Sequence, residues 1–103
     1  MFAGVNTFHF TGGPCAELVA LGAARANRGR GITTIVAVGN HGRGVVGPCG
    51  RDRQVLFDYY PGTRVLLPSI EGVRVVAIET LMPFAATWSM AGGVQQFDDE
   101  RFR

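Results

Sequence analysis

The dipeptide Pro-Cys occurs twice, at Pro14-Cys15 and Pro48-Cys49, and each copy follows a glycine-bearing loop and opens a stretch that reads as a helix. These are the only 2 cysteines in the chain. Proline suits the first turn of a helix, where its missing N–H is not needed. A helix start also favours negative charge, which should draw a cysteine toward the thiolate that binds metal. In α/β domains ligands gather outside the carboxyl ends of strands, where the following helices begin. Two thiols far apart in sequence can therefore meet at one point.

The flanking pattern supplies such a frame. Phe2 to Asn6 read as the end of a strand, and the loop TFHFTGG then leads to a helix over Pro14 to Asn27, rich in alanine and stopped by Gly29. Val19, Ala23 and Ala26 share one face of that helix, with Leu18 beside it. The β-branched run ITTIVAVG, Ile32 to Gly39, reads as a central strand covered on both faces. NHGRGVVG connects it to a second helix, Pro48 to Tyr60, with Val55, Leu56 and Tyr59 as its buried stripe and Pro61-Gly62 as its stop. Arg64 to Leu67 and Val73 to Ile78 read as an antiparallel hairpin across PSIEG. ETLMP closes the regular part. The predicted order is strand, helix, strand, helix, strand, strand, an α/β layered domain over residues 1–88. Residues 89–103 carry no periodicity and read as a mobile tail, with Phe97 and Phe102 available to dock on a partner.

At 103 residues the chain suffices for one domain with a modest core, and subunit contacts are expected. A composition 47% hydrophobic and 17% charged excludes a disordered polyelectrolyte. The net charge of +2 is mild, and Arg25, Arg28, Arg30 and Arg43 do not form one block, so a nucleic-acid partner is not expected. No apolar run approaches the roughly 18 residues of a membrane span, and MFAGVNTFHF lacks the parts of a secretory signal. A cytoplasmic chain is expected, with its cysteines as reduced thiols or metal ligands rather than a disulfide.

Asp52 stands three residues beyond Cys49 and so shares its face of the helix turn. A carboxylate replaces a thiolate at zinc with little geometric penalty, about 2.0–2.2 Å against about 2.3 Å, although oxygen is the harder donor and makes Mn or Fe more competitive. An aspartate there equally complements a helix dipole, and the spacing alone leaves both roles open. Glu17, two residues after Cys15, reads either as a proton carrier beside a metal or as an ordinary helix glutamate. His9 and His41 sit in loops without partner spacing and read as ordinary loop histidines.

The zinc nucleobase-deaminase pattern is H-x-E followed by P-C-x-x-C. Here it stands as C-x-E at Cys15-Ala16-Glu17 and P-C-x-x-D at Pro48-Cys49-Gly50-Arg51-Asp52. With GVNTFHFTGGPCAELVALG, Gly4 to Gly22, IVAVGNHGRGVVGPCGRDRQVLFDYYPG, Ile35 to Gly62, and LMP followed by Trp88, the chain resembles the cytidine deaminase family over most of residues 2–88. The resemblance implies a three-layer α/β fold with a mixed sheet flanked by helices. It also implies a zinc-dependent hydrolytic deaminase of a free 4-aminopyrimidine nucleoside or similar compound, assembled as a homotetramer.

By the same resemblance Cys15, Cys49 and Asp52 hold Zn2+ and Glu17 shuttles protons. Ala16 offers backbone hydrogen bonds to the pyrimidine edge, the Gly47 carbonyl receives the leaving amine, Asn6 contacts the sugar and Trp88 lies near the pocket. Arg51 balances the thiolates in place of an arginine that many members carry where Leu18 stands. The departures are Asp52 for a third cysteine, Phe8 for a second sugar-binding glutamate and Ala86 for a tyrosine found in part of the family; a further gap is the apparent lack of the N-terminal helix and first strand that relatives carry, which would leave a sheet edge bare. They motivate a second reading, a catalytically degenerate deaminase fold serving in binding or assembly.

Overall fold

The computed structural model describes residues 1–27, 31–89 and 93–95. Helix α1 spans Ala16–Ala26, strand β1 Thr34–Ile35, β2 Ala37–Gly39, β3 Gly44–Val46, helix α2 Gly50–Tyr59, β4 Arg64–Ser69 and β5 Gly72–Ala77. A 3-10 turn at Ile78–Leu81 and strands β6, Thr87–Ser89, and β7, Gly93–Gln95, follow. The main sheet is mixed, in the order β1-β4-β5, with β1 parallel to β4 and β4 antiparallel to β5. Parallel neighbours need a long crossover, and the segment through α2 supplies it.

The β4–β5 hairpin forms as the sequence predicts, from Arg64↔Ala77 to Ser69↔Gly72, with Gly72 at φ 116° where a side chain would be strained. The run Ile32 to Gly39 behaves differently from its reading as one central strand. It breaks at Val36: Thr34 and Ile35 pair with Arg64 and Val65 at the sheet edge, while Ala37–Gly39 turn away to form a hairpin with β3. That hairpin is absorbed from the stretch read as a connection, because Asn40 to Arg43 make a tight turn in which His41 and Gly42 both take positive φ. Val36 and Val38, expected to be covered, are exposed as a result.

Phe2 to Asn6, read as the end of a strand, form no ladder, and a cleft separates their start from the free edge of β1. They run beside α1, where Gly4 is so close that an added Cβ would lie 2.5 Å from the Ala20 nitrogen. Between residues 1–4 and 34–38 lies a cleft of about 380 Å3, floored by Ala16, Glu17 and Ala20. Strand β7 falls within the stretch read as a tail and pairs with β6. Residues 96–103, with Phe97 and Phe102, lie outside the described residues. No helix among the described residues is long and apolar enough to cross a membrane.

The core joins α2 to the sheet and the 3-10 turn through Leu56, Phe57, Val65, Ile78 and Met82, with Ile35, Leu67, Leu81 and Ala85 packed around them. The buried face of α2 is therefore turned from the predicted stripe: Leu56 is shared, Phe57 and Asp52 are added, and Val55 and Tyr59 are only half-buried. Helix α1 buries Leu21 and Ala24 instead of the predicted Val19, Ala23 and Ala26 face. Its register follows the contact with residues 1–4 and β1, which hydrophobic spacing within the helix does not specify.

Thr63, fully buried, ties these parts together. Its hydroxyl donates to the Ile32 carbonyl at 3.0 Å, its N–H donates to the Tyr60 carbonyl, and its carbonyl accepts from Ile78. Thr63→Val keeps the shape but removes the hydroxyl donor from a buried acceptor. It is expected to cost about 1–3 kcal/mol, read by urea denaturation, with Thr63→Ser losing less.

Candidate metal centre

Cys15 and Cys49 are the N-cap residues of α1 and α2, both with extended backbone angles that turn the chain into its helix. The two helix starts converge, and the sulfurs stand 3.6 Å apart. Asp52, in the first turn of α2, joins them. Among the described residues, Cys15, Cys49 and Asp52 are the group whose ligand atoms all lie within 4.8 Å of one another.

Asp52 is 1% exposed. Its Oδ2 accepts the Cys49 N–H at 3.3 Å, closing the first turn of α2, whereas Oδ1 is buried with no hydrogen-bond partner. A buried carboxylate oxygen without a partner is costly, and a cation beside it removes that cost. Two sulfurs at about 2.3 Å from a tetrahedral zinc lie about 3.8 Å apart, close to the separation found here. Two thiols and one carboxylate oxygen, gathered at two helix starts, thus fit a divalent cation.

The electrostatics of the cluster overturn one expectation. Helix starts were expected to lower the thiol pKa, yet Cys15 is pushed up to about 11, first because it shares a hydrogen bond with Cys49, then by burial, then by the negative charge of Asp52. Glu17 is likewise raised, to about 7, chiefly by burial and next by the neighbouring Asp52 carboxyl, with its own backbone bond opposing. Glu17 therefore faces Asp52 and also borders the cleft beside residues 1–4.

The remaining predicted site residues are dispersed. Ala16 lines the same cleft as Glu17. Gly47 precedes Pro48 with the Leu67 side chain over it. Asn6 is exposed in the loop before Gly12, with no hydrogen bond to another described residue. Trp88 sits at the far end of α2, its ring edge-on to Tyr59 at 5.9 Å and its backbone N–H donating to Asp58 Oδ1 at 2.9 Å. It shares with Val55, Tyr59 and Ala86 a cavity of about 450 Å3.

Arg51 is exposed and makes no ion pair with the cluster. Arg53, which sequence reasoning passed over, reaches back across the first turn and donates to the Pro48 carbonyl at 3.0 Å. Both arginines follow Cys49 closely, and only the helix phase distinguishes them. His9 contacts Thr11 and Phe10 within its own loop. Arg25 lies over the Tyr59 ring and Arg43 binds Asn40, so two of the four arginines considered for nucleic acid are engaged locally. Arg28 and Arg30 lie outside the described residues.

No protein-family model matches the chain. It is 35% identical over 80 residues to blasticidin-S deaminase of Bacillus cereus, a match covering 71% of this chain and 57% of that protein's length. Its fold matches the crystal structure of cytidine deaminase from Mycobacterium leprae with a TM-score of 0.65 and 28% sequence identity, over 80% of this chain and 67% of the other. Sequence and fold point the same way: the chain has a cytidine deaminase-like fold and is similar in sequence to a blasticidin-S deaminase, of whose length it spans little more than half.

The loop before α1 holds Cys15 in place through a close approach at Gly13. A methyl group there would overlap the Thr7 carbonyl, while the Thr7 N–H donates to the Pro14 carbonyl at 3.3 Å. Gly13→Ala is expected to cost about 1–3 kcal/mol by overpacking and to speed modification of Cys15 by a thiol reagent. Gly22→Ala, with open space around it inside α1, is expected to stabilise by about 0.5–1 kcal/mol. Thermal melting and timed thiol labelling of both variants provide the comparison.

Proposed function

We propose that this chain is a metal-dependent hydrolytic deaminase of a small 4-aminopyrimidine nucleoside or nucleoside-like compound, and that it releases ammonia. The observation that carries this reading is one juxtaposition. Two sulfurs lie 3.6 Å apart beside a buried, unpartnered carboxylate oxygen, and Glu17 faces that same carboxylate. The similarity to blasticidin-S deaminase and to a cytidine deaminase gives the arrangement its chemical context.

In this reading Cys15, Cys49 and Asp52 hold the cation, with zinc the expected occupant. The bound cation supplies Lewis acidity toward water. Glu17 accepts one proton from the attacking water and gives it to the ring nitrogen. It then carries the second proton, from the hydroxyl newly joined to the amine-bearing carbon, to the departing amine, so that the carbonyl forms as ammonia leaves; a carboxyl at the edge of a cleft is placed to do this work. Ala16 and Gly47 contribute backbone contacts to the base and Asn6 a contact to the sugar, while Trp88, at the far end of α2, stands apart from the cluster within one chain. Arg51 offsets the negative charge of the donor set, and Arg53 steadies the Pro48-Cys49 turn from behind. Several large apolar side chains, among them Val36, Val38, Val73, Val75, Phe8 and Phe10, stand exposed on the single chain. They support a homo-oligomer in which neighbouring copies cover them.

Metal analysis of the purified protein, together with ammonia release from cytidine, deoxycytidine and blasticidin S, tests the proposal. A stoichiometric transition metal and turnover of at least one of these compounds are expected. Glu17→Gln is expected to keep the metal and lose about 10²–10⁴ in rate. Absence of both metal and turnover leaves the binding or assembly reading in its place, and full activity in Glu17→Gln removes that residue from the proton path.

A further inference from the structure

Asp52 uses its two oxygens unequally. Oδ2 is committed to the backbone, accepting the Cys49 N–H, while Oδ1 is buried and unpartnered beside the two sulfurs. We propose that Asp52 divides its carboxylate between two tasks: Oδ2 caps α2 and Oδ1 is the single hard donor of a two-thiolate centre. The centre is thereby tuned to tolerate harder divalent cations better than a three-thiolate site on the same frame would. The inference rests on the metal-centre reading above and concerns the choice of ion within it.

The reasoning is one of donor chemistry and geometry. Thiolates favour soft and borderline ions such as Zn2+, whereas carboxylate oxygen favours Mn2+ and other harder ions. Because Oδ2 accepts the Cys49 N–H, Oδ1 is the oxygen that Asp52 has free to offer. The donor count at the centre therefore stays at three, as it would with a third cysteine, and only the hardness of one position changes. Burial of Asp52 keeps water from taking over the role of Oδ1, since the residue is 1% exposed.

Two substitutions separate the two tasks. Asp52→Asn retains an oxygen acceptor for the Cys49 N–H but replaces the anionic donor with an amide. Its metal-free melting temperature should stay within a few degrees of the parent, while its affinity for Co2+ falls by about 10–100-fold. Asp52→Cys exchanges oxygen for sulfur. It should raise the sulfur-to-cobalt charge-transfer absorbance by about half, as two thiolates become three, and shift the Zn2+:Mn2+ occupancy ratio in equimolar competition about tenfold toward zinc. Occupancy is measured by mass spectrometry of the metals under anaerobic conditions.

If the parent binds Co2+ and both variants match it in affinity, absorbance and occupancy ratio, Asp52 is not a ligand; this inference falls while the paired cysteines remain a site. If the parent binds neither Co2+ nor Zn2+, the metal-centre reading falls as well. Should Asp52→Cys fail to fold, the cobalt affinity and melting curve of Asp52→Asn decide alone.

Discussion

The convergence of two helix starts governs this molecule. Each Pro-Cys pair lies where a loop gives way to a helix, and the fold brings the two starts together until the sulfurs nearly touch. Nothing local in either helix requires this. It follows from α2 being the crossover between β1 and β4, with its Leu56 and Phe57 pinned in the core, and from α1 being wedged against residues 1–4 by the absence of a side chain at Gly4. The centre is thus a product of tertiary packing imposed on two local capping motifs.

Asp52 shows how one side chain can serve fold and chemistry together. Buried charge without compensation is among the most expensive arrangements a protein can hold. Here one oxygen is compensated by a backbone N–H, and the other has no hydrogen-bond partner. Cys15 is raised first by its hydrogen bond with Cys49 and then by burial and Asp52, and Glu17 first by burial and then by Asp52, so Asp52 pushes both upward. Two sulfurs and a carboxylate oxygen thus gather with a second acid beside them.

Much of the centre was legible in the sequence because it depends on spacing within single helix turns. Cys49 and Asp52 lie three apart, and Cys15 and Glu17 two apart, and the structure brings all four together. The helices and the β4–β5 hairpin were equally legible, since proline, glycine and β-branched residues mark their bounds. What the sequence concealed depends on partners distant in the chain. The run Ile32 to Gly39 has the composition of one strand, yet it divides because Val36 falls between two competing partners, β4 and β3. The turned faces of α1 and α2 escaped for a similar reason: periodicity shows that a helix has an apolar side but not which neighbour fixes its rotation. Arg53 was hidden because its role depends on the carbonyl of Pro48.

Helix α1 buries only Leu21 and Ala24, which is slender support for three turns of helix. Its firmest anchorage is at its front end, where Gly13 and Cys15 meet Thr7 and Cys49. An ion gripping both thiols would act there as a rivet, since the free energy of binding at a site built from separate segments adds to the free energy of folding. The reagent and the fastener would then be one and the same, and stripping it away would loosen the architecture before any substrate arrived.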